Sequence, residues 1–201
     1  MKALAVASEP YIFWHGDNGG ARKIIGGMPI LRQYFQGVQG EIAVGQLLEE
    51  PRGNGYHVFH DIPSANGNVD HVPIGPGGVF VIETKTNSKP RARESKVIYD
   101  GKRVTVDGHS PDRDPVTQVK AAAALIDQII QRGLTRSLPI RSVLLYVRWF
   151  VDPMPKGSDI WVMNEKTLLK WVRTSFKKVS PEDIRLAAST LEVYVRSYRG
   201  E

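Results

Sequence analysis

Two short apolar segments on either side of a glycine- and proline-rich turn place the strongest constraint on the fold of this chain. Residues 69–74 and 79–84 flank the sequence Gly-Pro-Gly-Gly. Such segments around a tight turn predict an antiparallel β-hairpin. With the tip at Pro76-Gly77, Asp70 pairs with Glu83. Because paired residues share a face, this register predicts two carboxylates side by side at one end of an apolar sheet surface.

The charged end of this hairpin needs a compensating positive charge. Alternation along the strand places Lys85 on the same face as Glu83. Two adjacent carboxylates at the edge of an apolar surface repel one another and lose hydration. A divalent cation offsets both effects, and oxygen ligands at this spacing suit Mg²⁺ or Mn²⁺. The residues therefore predict a metal site at Asp70 and Glu83, with Lys85 as a neighbouring positive charge. The rest of that face consists of Val72, Ile74, Val79 and Val81.

The segments before the hairpin predict a helix and a strand. The helix is expected to begin at Pro29 and to run to about Glu50, followed by a turn over 51–55. The alternating pattern over 56–62 predicts the first strand. The apolar side of the helix is predicted to consist of Ile42, Val44, Leu47 and Leu48.

The segments after the hairpin predict further strands and helices. Asp114 followed by proline predicts a helix that ends near Arg132, with Val119, Ala123, Ile126 and Ile130 as its apolar stripe. The order of elements predicts an α/β sandwich around a mixed sheet. The other predicted elements are a hairpin over 96–106, a strand over 141–150 that is buried on both faces, a strand over 160–163, and helices over 164–176 and 180–198.

Charge is unevenly distributed along the chain. Residues 1–83 contain 5 basic and 8 acidic residues, a net charge of −3, whereas residues 84–201 contain 22 and 13, a net charge of +9. A basic portion indicates a polyanionic partner such as nucleic acid, although a solvated basic surface without a partner gives the same distribution. Segment 84–103 continues directly from the strand of Glu83 and would hold a nucleic-acid backbone beside it. Its basic residues are Lys85, Lys89, Arg91, Arg93, Lys96, Lys102 and Arg103.

The composition narrows the class of protein. The chain has no cysteine, which excludes disulfides, thiol catalysis and cysteine-ligated zinc. The longest apolar run, at 121–126, is much shorter than a bilayer span, and the short apolar patch at 1–7 does not predict a secretory signal. We therefore expect a cytoplasmic protein with no membrane partner, and the oligomeric state is left open.

Four blocks of the sequence resemble the nuclease-related domain (NERD) family of bacterial and plasmid proteins. Within them, Asp70, twelve intervening residues and Glu83-Thr84-Lys85 resemble the PD-(D/E)xK nuclease signature. The resemblance implies a restriction-endonuclease-like α-β-β-β-α-β core over 37–150. An N-terminal extension (1–36) would precede this core, and a C-terminal helical extension (151–201) would pack on the same domain. The four blocks are 40–41, 69–72, 78–85 and 114–119.

The resemblance also implies a metal-dependent nuclease that acts on DNA. Asp70, Glu83 and the backbone carbonyl of Thr84 would hold Mg²⁺ or Mn²⁺, while Lys85 would orient or activate the attacking water. Glu41, on the first helix, would be a further catalytic carboxylate near the metal. The alternative for Glu41 is a solvated carboxylate near a break in the helix.

Several polar residues are candidates for contacts with nucleic acid. Gln118 lies in the first turn of the second helix, where its amide and free backbone N–H groups would meet a phosphate. Related nucleases often carry a tyrosine four residues after this glutamine, but here that position is Ala122, so an ordinary first-turn polar residue is the alternative. The other candidates are Lys89, Arg91, Arg93 and Lys96, for which a solvated basic loop is the alternative.

Two other functions compete with the nuclease. One is a nucleic-acid-binding or recruitment module that keeps the fold without cutting, but such a module has no need for Asp70, Glu83 and Lys85 together. The other is a small-molecule phosphohydrolase on a similar sheet. The sequence lacks a phosphate-loop signature, and the basic segment follows the candidate site directly, so both features disfavour the phosphohydrolase.

Overall fold

A mixed five-stranded sheet contains the predicted hairpin. The computed structural model describes residues 42–49, 51–65, 67–86, 96–174 and 179–200. A first helix, α1, covers 42–49 and 51–52. The other elements are β1 (His57–Ser64), β2 (Gly67–Gly75), β3 (Gly78–Lys85), β4 (Lys96–Tyr99), β5 (Val104–Val106), α2 (Pro115–Gln131), β6 (Ile140–Tyr146), β7 (Phe150–Val151), β8 (Ile160–Met163), α3 (Glu165–Thr174) and α4 (Pro181–Arg199).

The hairpin forms in the predicted register. Strands β2 and β3 are antiparallel, and Ile74 pairs with Val79 while Gly75 pairs with Gly78. Gly78 has φ +120°, and a side chain there would overlap the backbone oxygen of Pro139. A glycine is therefore required where β3 leaves the turn.

The sheet combines antiparallel and parallel pairs in the order β1-β2-β3-β6-β8. Strands β3, β6 and β8 run parallel, with Lys85 beside Tyr146 and Leu145 beside Met163. The carboxyl ends of these three strands therefore meet at one edge of the sheet. The prediction of a mixed sheet in an α/β protein is confirmed.

Helices cover both faces of this sheet. Val79 and Val81 of β3 pack with Ala123 and Ile126 of α2, together with residues of α4. On the opposite face, Phe80 and Ile82 form a cluster with residues of α1 and α3, including Val44, Leu48 and Leu168. Alternate residues of β3 therefore contribute to two separate cores, which fixes the face of every side chain up to its carboxyl end.

A second, three-stranded sheet has the order β5-β4-β7. It contains the hairpin predicted over 96–106, with Val97 opposite Val106. The prediction of one strand over 141–150 is wrong beyond Tyr146. The chain turns there through Arg148, which has φ +63°, and Phe150 pairs with Lys96 of this sheet instead.

Helices α2 and α4 begin where capping residues predict them. The side chain of Asp114 accepts a hydrogen bond from the N–H of Val116, and Ser180 caps α4 in the same way. All four residues of the predicted α2 stripe are buried. Most of the helix predicted from Pro29 lies outside the described residues. Across the described ranges, no helix is both long and apolar enough to cross a membrane.

Two details of the prediction for α1 are wrong. Ile42 is 55% exposed, whereas Val44 and Leu48 are buried. Residues two apart on a helix lie about 200° apart around its axis, so Ile42 does not share the face of Val44. The predicted turn also begins later than expected, because Pro51 and Arg52 are helical.

Candidate active site

The candidate site lies at the carboxyl end of β3. This strand is flanked by β2 on one side and by β6 on the other. The crevice beyond the carboxyl ends of parallel strands is where open α/β sheets commonly bind their ligands. The helix α2 covers the face of the sheet that carries Val79 and Val81. The first turn of this helix lies close to Glu83.

Glu83, Lys85 and Gln118 form a closed ring of hydrogen bonds. The Nζ of Lys85 lies 2.9 Å from Oε1 of Glu83 and 3.0 Å from Oε1 of Gln118. The Nε2 of Gln118 donates to Oε1 of Glu83 at 2.6 Å. The side chains of Glu83 and Lys85 therefore lie on one face of the strand, as alternation predicts.

The carboxylate in this ring is buried. Glu83 is only 6% exposed, and its ion pair with Lys85 balances its charge. A buried charge without a partner is costly, so removal of Lys85 would leave Glu83 uncompensated. Both hydrogen bonds to the Glu83 carboxylate from described residues end on Oε1. The second oxygen, Oε2, accepts none from them.

The side chain of Asp70 is bonded to the backbone of β3. Oδ2 of Asp70 accepts a hydrogen bond from the N–H of Thr84, with 2.7 Å between the atoms. This bond places the Asp70 carboxylate beside the peptide that links Glu83 to Thr84. The hydroxyl of Thr84 is buried and makes no hydrogen bond to the residues described. The metal-ligand roles expected for Asp70, Glu83 and Thr84 remain predictions.

His71, the residue after Asp70 in the chain, forms a pair with His60 of β1. Nδ1 of His71 lies 2.8 Å from Nδ1 of His60. Burial, together with a smaller effect of the neighbouring His60, lowers the pKa of His71 to about 4. Burial also lowers the pKa of His60. Both rings are therefore mainly neutral at pH 7, so that one Nδ1 donates the hydrogen bond and the other accepts it.

Of the other predicted site residues, the structure describes only Lys96. Nζ of Lys96 lies 3.2 Å from the carboxylate of Asp152, so this predicted phosphate contact already has an acidic partner. Within the ranges that the structure describes, no three His, Asp or Glu residues are grouped so that they could hold a metal ion. The remaining predicted residues, Glu41, Lys89, Arg91 and Arg93, lie outside the described residues.

The sequence did not predict the contacts that Gln118 makes. The amide of Gln118 bridges the two charged groups of β3, and its contact with a phosphate stays a prediction. The signal available in the sequence was the block 114–119, which the resemblance groups with 78–85. A helix whose first turn packs against the end of that strand brings its third or fourth residue to the charged pair.

Comparison with known proteins gives one match. A family model described as "NERD: Nuclease-related domain" matches residues 36–147, which is more than half of the 201-residue chain. No curated protein and no solved structure matches the chain.

Proposed function

Because the chain belongs to the nuclease-related domain family, we propose that it is a metal-dependent nuclease that hydrolyses phosphodiester bonds, with DNA as its substrate. The observation that carries this proposal is the ring of Glu83, Lys85 and Gln118 at the carboxyl end of β3. Asp70 lies next to this ring through its hydrogen bond to Thr84. Acidic and basic groups together in a crevice are typical of sites for phosphoryl chemistry.

The donor atoms fit a hard divalent cation. Asp70 and Glu83 offer carboxylate oxygens, and Oε2 of Glu83 accepts no hydrogen bond from the described residues. Mg²⁺ and Mn²⁺ prefer such oxygen ligands. Asp70, Glu83 and the carbonyl of Thr84 would hold the ion, with Glu41 as a further catalytic carboxylate. When bound, the ion would polarise the phosphodiester and lower the pKa of a bound water.

The remaining steps fall to groups of the chain itself. The ammonium of Lys85 would orient the attacking water and stabilise the negative charge that develops on the phosphate. Gln118 would keep Lys85 in position, because its amide oxygen accepts a hydrogen bond from the ammonium. A small displacement of such a group lowers the reaction rate strongly.

The substrate class is proposed from the charge of the chain. The net charge of +9 over residues 84–201 would attract a polyanion to the site. The proposed contacts are Gln118, Lys89, Arg91, Arg93 and Lys96, and Lys96 would exchange Asp152 for a phosphate. The proposal includes a restriction-endonuclease-like core and a cytoplasmic location.

One observation favours a second function, a module that binds nucleic acid without cutting it. Glu83, Lys85 and Gln118 are joined to one another by three hydrogen bonds and an ion pair. A closed ring of this kind would also be stable as a purely structural feature. The two functions differ in whether the ring opens to bind a metal ion.

A cleavage assay on the full chain distinguishes these functions. Plasmid, linear duplex, single-stranded DNA and RNA are incubated with Mg²⁺ or Mn²⁺, using the wild type, Glu83→Gln and Lys85→Ala. Glu182→Gln, at the exposed start of α4, is the matched control. We expect metal-dependent cleavage of DNA that is lost in both site variants and retained in the control.

Two results would contradict the nuclease. Equal cleavage by the wild type and both site variants would indicate a contaminating activity. Binding of nucleic acid without cleavage in either metal would support the binding module instead.

A further inference from the structure

Arg148 has an unusual backbone conformation at the end of β6. Its φ is +63°, in the left-handed region that residues other than glycine rarely adopt. The other described non-glycine residues with positive φ are Asp61 and Asp107. Aspartate tolerates this region because its short side chain forms local hydrogen bonds, whereas arginine has no such advantage. An arginine at this position is therefore unexpected on conformational grounds alone.

The surroundings hold this turn in place. The N–H of Arg148 donates to the carboxylate of Glu165 at 3.0 Å. The N–H of Trp149 donates to the carbonyl of Tyr146, and the amide of Asn164 donates to the carbonyl of Trp149. Strained residues persist where neighbouring groups fix them, and they often occur at functional sites.

This turn lies beside the candidate site. Strands β3 and β6 are parallel, and Lys85 pairs with Tyr146 at their carboxyl ends. The pairing continues for one more residue, because the N–H of Val147 donates to the carbonyl of Lys85 at 3.2 Å. Arg148 is the next residue. It lies one residue beyond Val147 and two beyond Tyr146, the pairing partner of Lys85, at the end of the sheet.

The charge of Arg148 is available for a ligand. The residue is exposed, and none of the described residues forms an ion pair or a hydrogen bond with its guanidinium group. The ammonium groups of Lys85 and Lys96, by contrast, are each paired with a carboxylate. A guanidinium group presents two parallel N–H donors that match the oxygens of a phosphate.

We propose that Arg148 binds a backbone phosphate of the nucleic acid that lies next to the phosphodiester at Lys85. This inference rests on the proposed function, since it assigns a contact of the same substrate. Glu165 accepts the backbone hydrogen bond of the turn, and the exposed guanidinium group of Arg148 would contact the adjacent phosphate. The contact contributes to affinity for any sequence, because it involves no base.

Binding measurements with variants of Arg148 test this proposal. Fluorescence anisotropy of a labelled 20-base-pair duplex is recorded for the full chain in EDTA, so that no cutting occurs, at several salt concentrations. Arg148→Gln removes the charge, Arg148→Gly also relieves the backbone conformation, and Arg148→Lys retains the charge. Arg185→Gln is the control, since Arg185 is exposed near the start of α4, and Val179 just before α4 bonds to Pro76 at the opposite end of β3.

We expect the Gln and Gly variants to bind roughly threefold to tenfold more weakly than the wild type. The slope of log K against log salt should become shallower by about 0.9, which corresponds to one lost phosphate contact. The Lys variant should keep the salt slope of the wild type, because it retains the charge, and the Arg185 control should stay close to the wild type. The Gly variant separates a charge effect from a folding effect, because it loses the cation without backbone strain.

The outcomes that overturn the proposal differ from those that overturn the nuclease. If the wild type binds and cleaves DNA while Arg148→Gln binds equally well with an unchanged slope, the role of Arg148 is wrong and the nuclease stands. Equal weakening by Arg185→Gln would also overturn it, because only general charge would then matter. If the folded wild type neither binds nor cleaves nucleic acid, the proposed function fails and the inference fails with it.

Discussion

The backbone N–H of Thr84 donates a hydrogen bond to Oδ2 of Asp70, with 2.7 Å between nitrogen and oxygen. The bond joins β2 to β3 at the point where β3 carries its acidic and basic side chains. Asp70 therefore contributes to the fold and, in the proposed function, to metal binding. An amide oxygen accepts the same hydrogen bond without a negative charge, so substitution separates these two contributions.

Asp70→Asn and Asp70→Ala should differ in stability and agree in activity. The alanine variant leaves the N–H of Thr84 without its acceptor, so the free energy of unfolding should fall by about 1–3 kcal/mol in urea denaturation. The asparagine variant should stay within about 1 kcal/mol of the wild type. Both should lose metal-dependent cleavage of DNA. Wild-type cleavage by Asp70→Asn would contradict the role of Asp70 as a ligand.

Gln118→Ala should slow cleavage more than it weakens DNA binding. The amide contacts both Glu83 and Lys85, so its loss leaves the ammonium less well positioned. We expect a single-turnover rate about tenfold to a hundredfold lower. Gln131→Ala is the control, because among the described residues the side chain of Gln131, at the other end of the same helix, bonds to Asp127 and Ser137. Equal rates in the two variants would show that Gln118 does not position Lys85.

The free energy of unfolding should depend on pH through His71. Its pKa is about 4 in the folded chain, against an ordinary value of 6.5. Between these values the unfolded chain binds a proton that the folded chain excludes, so stability is lost as the pH falls from 6.5 towards 4. Urea denaturation of the wild type and His71→Gln at pH 7 and pH 4.5 measures this. The difference between the two proteins should change by about 2 kcal/mol. Parallel pH profiles would show that His71 does not titrate in this way.

Two glycines with the same backbone angle should respond differently to alanine. Gly67 and Gly78 both have φ +120°, but the space around a side chain at Gly67 is open, whereas at Gly78 it is filled by the backbone of Pro139. Gly67→Ala should cost only the backbone strain, about 1–2 kcal/mol. Gly78→Ala should cost at least about 2 kcal/mol more, because the backbone of Pro139 must move. Chemical denaturation measures both, and equal losses would contradict the close contact.

The hairpin and its charged end could be predicted from the sequence because local rules determine them. The turn residues set the register, and the side-chain period of two places Lys85 on the face of Glu83. The burial of Val79 and Val81 on the face that α2 and α4 cover follows from the same alternation. The identity of the family was also predicted from these residues and is confirmed.

Features that depend on contacts distant in sequence could not be predicted. The end of β6 at Tyr146 depends on the bond from the N–H of Arg148 to Glu165, which no local pattern indicates. The pairing of His60 with His71 depends on the register between β1 and β2, in which the two residues are partners. The contacts of Gln118 depend on where α2 packs relative to β3.

Asp70 and Glu83 are proposed to share one divalent cation, and the affinity of the chain for Mn²⁺ is the direct measure of that shared site. Free Mn²⁺ is measured by electron paramagnetic resonance during titration of the full wild-type chain, Asp70→Asn, Glu83→Gln and the control Glu182→Gln. We expect the wild type and the control to bind Mn²⁺ with equal affinity and each site variant to bind at least roughly tenfold more weakly. Equal Mn²⁺ affinity in all four proteins, or no binding by the wild type, would contradict it.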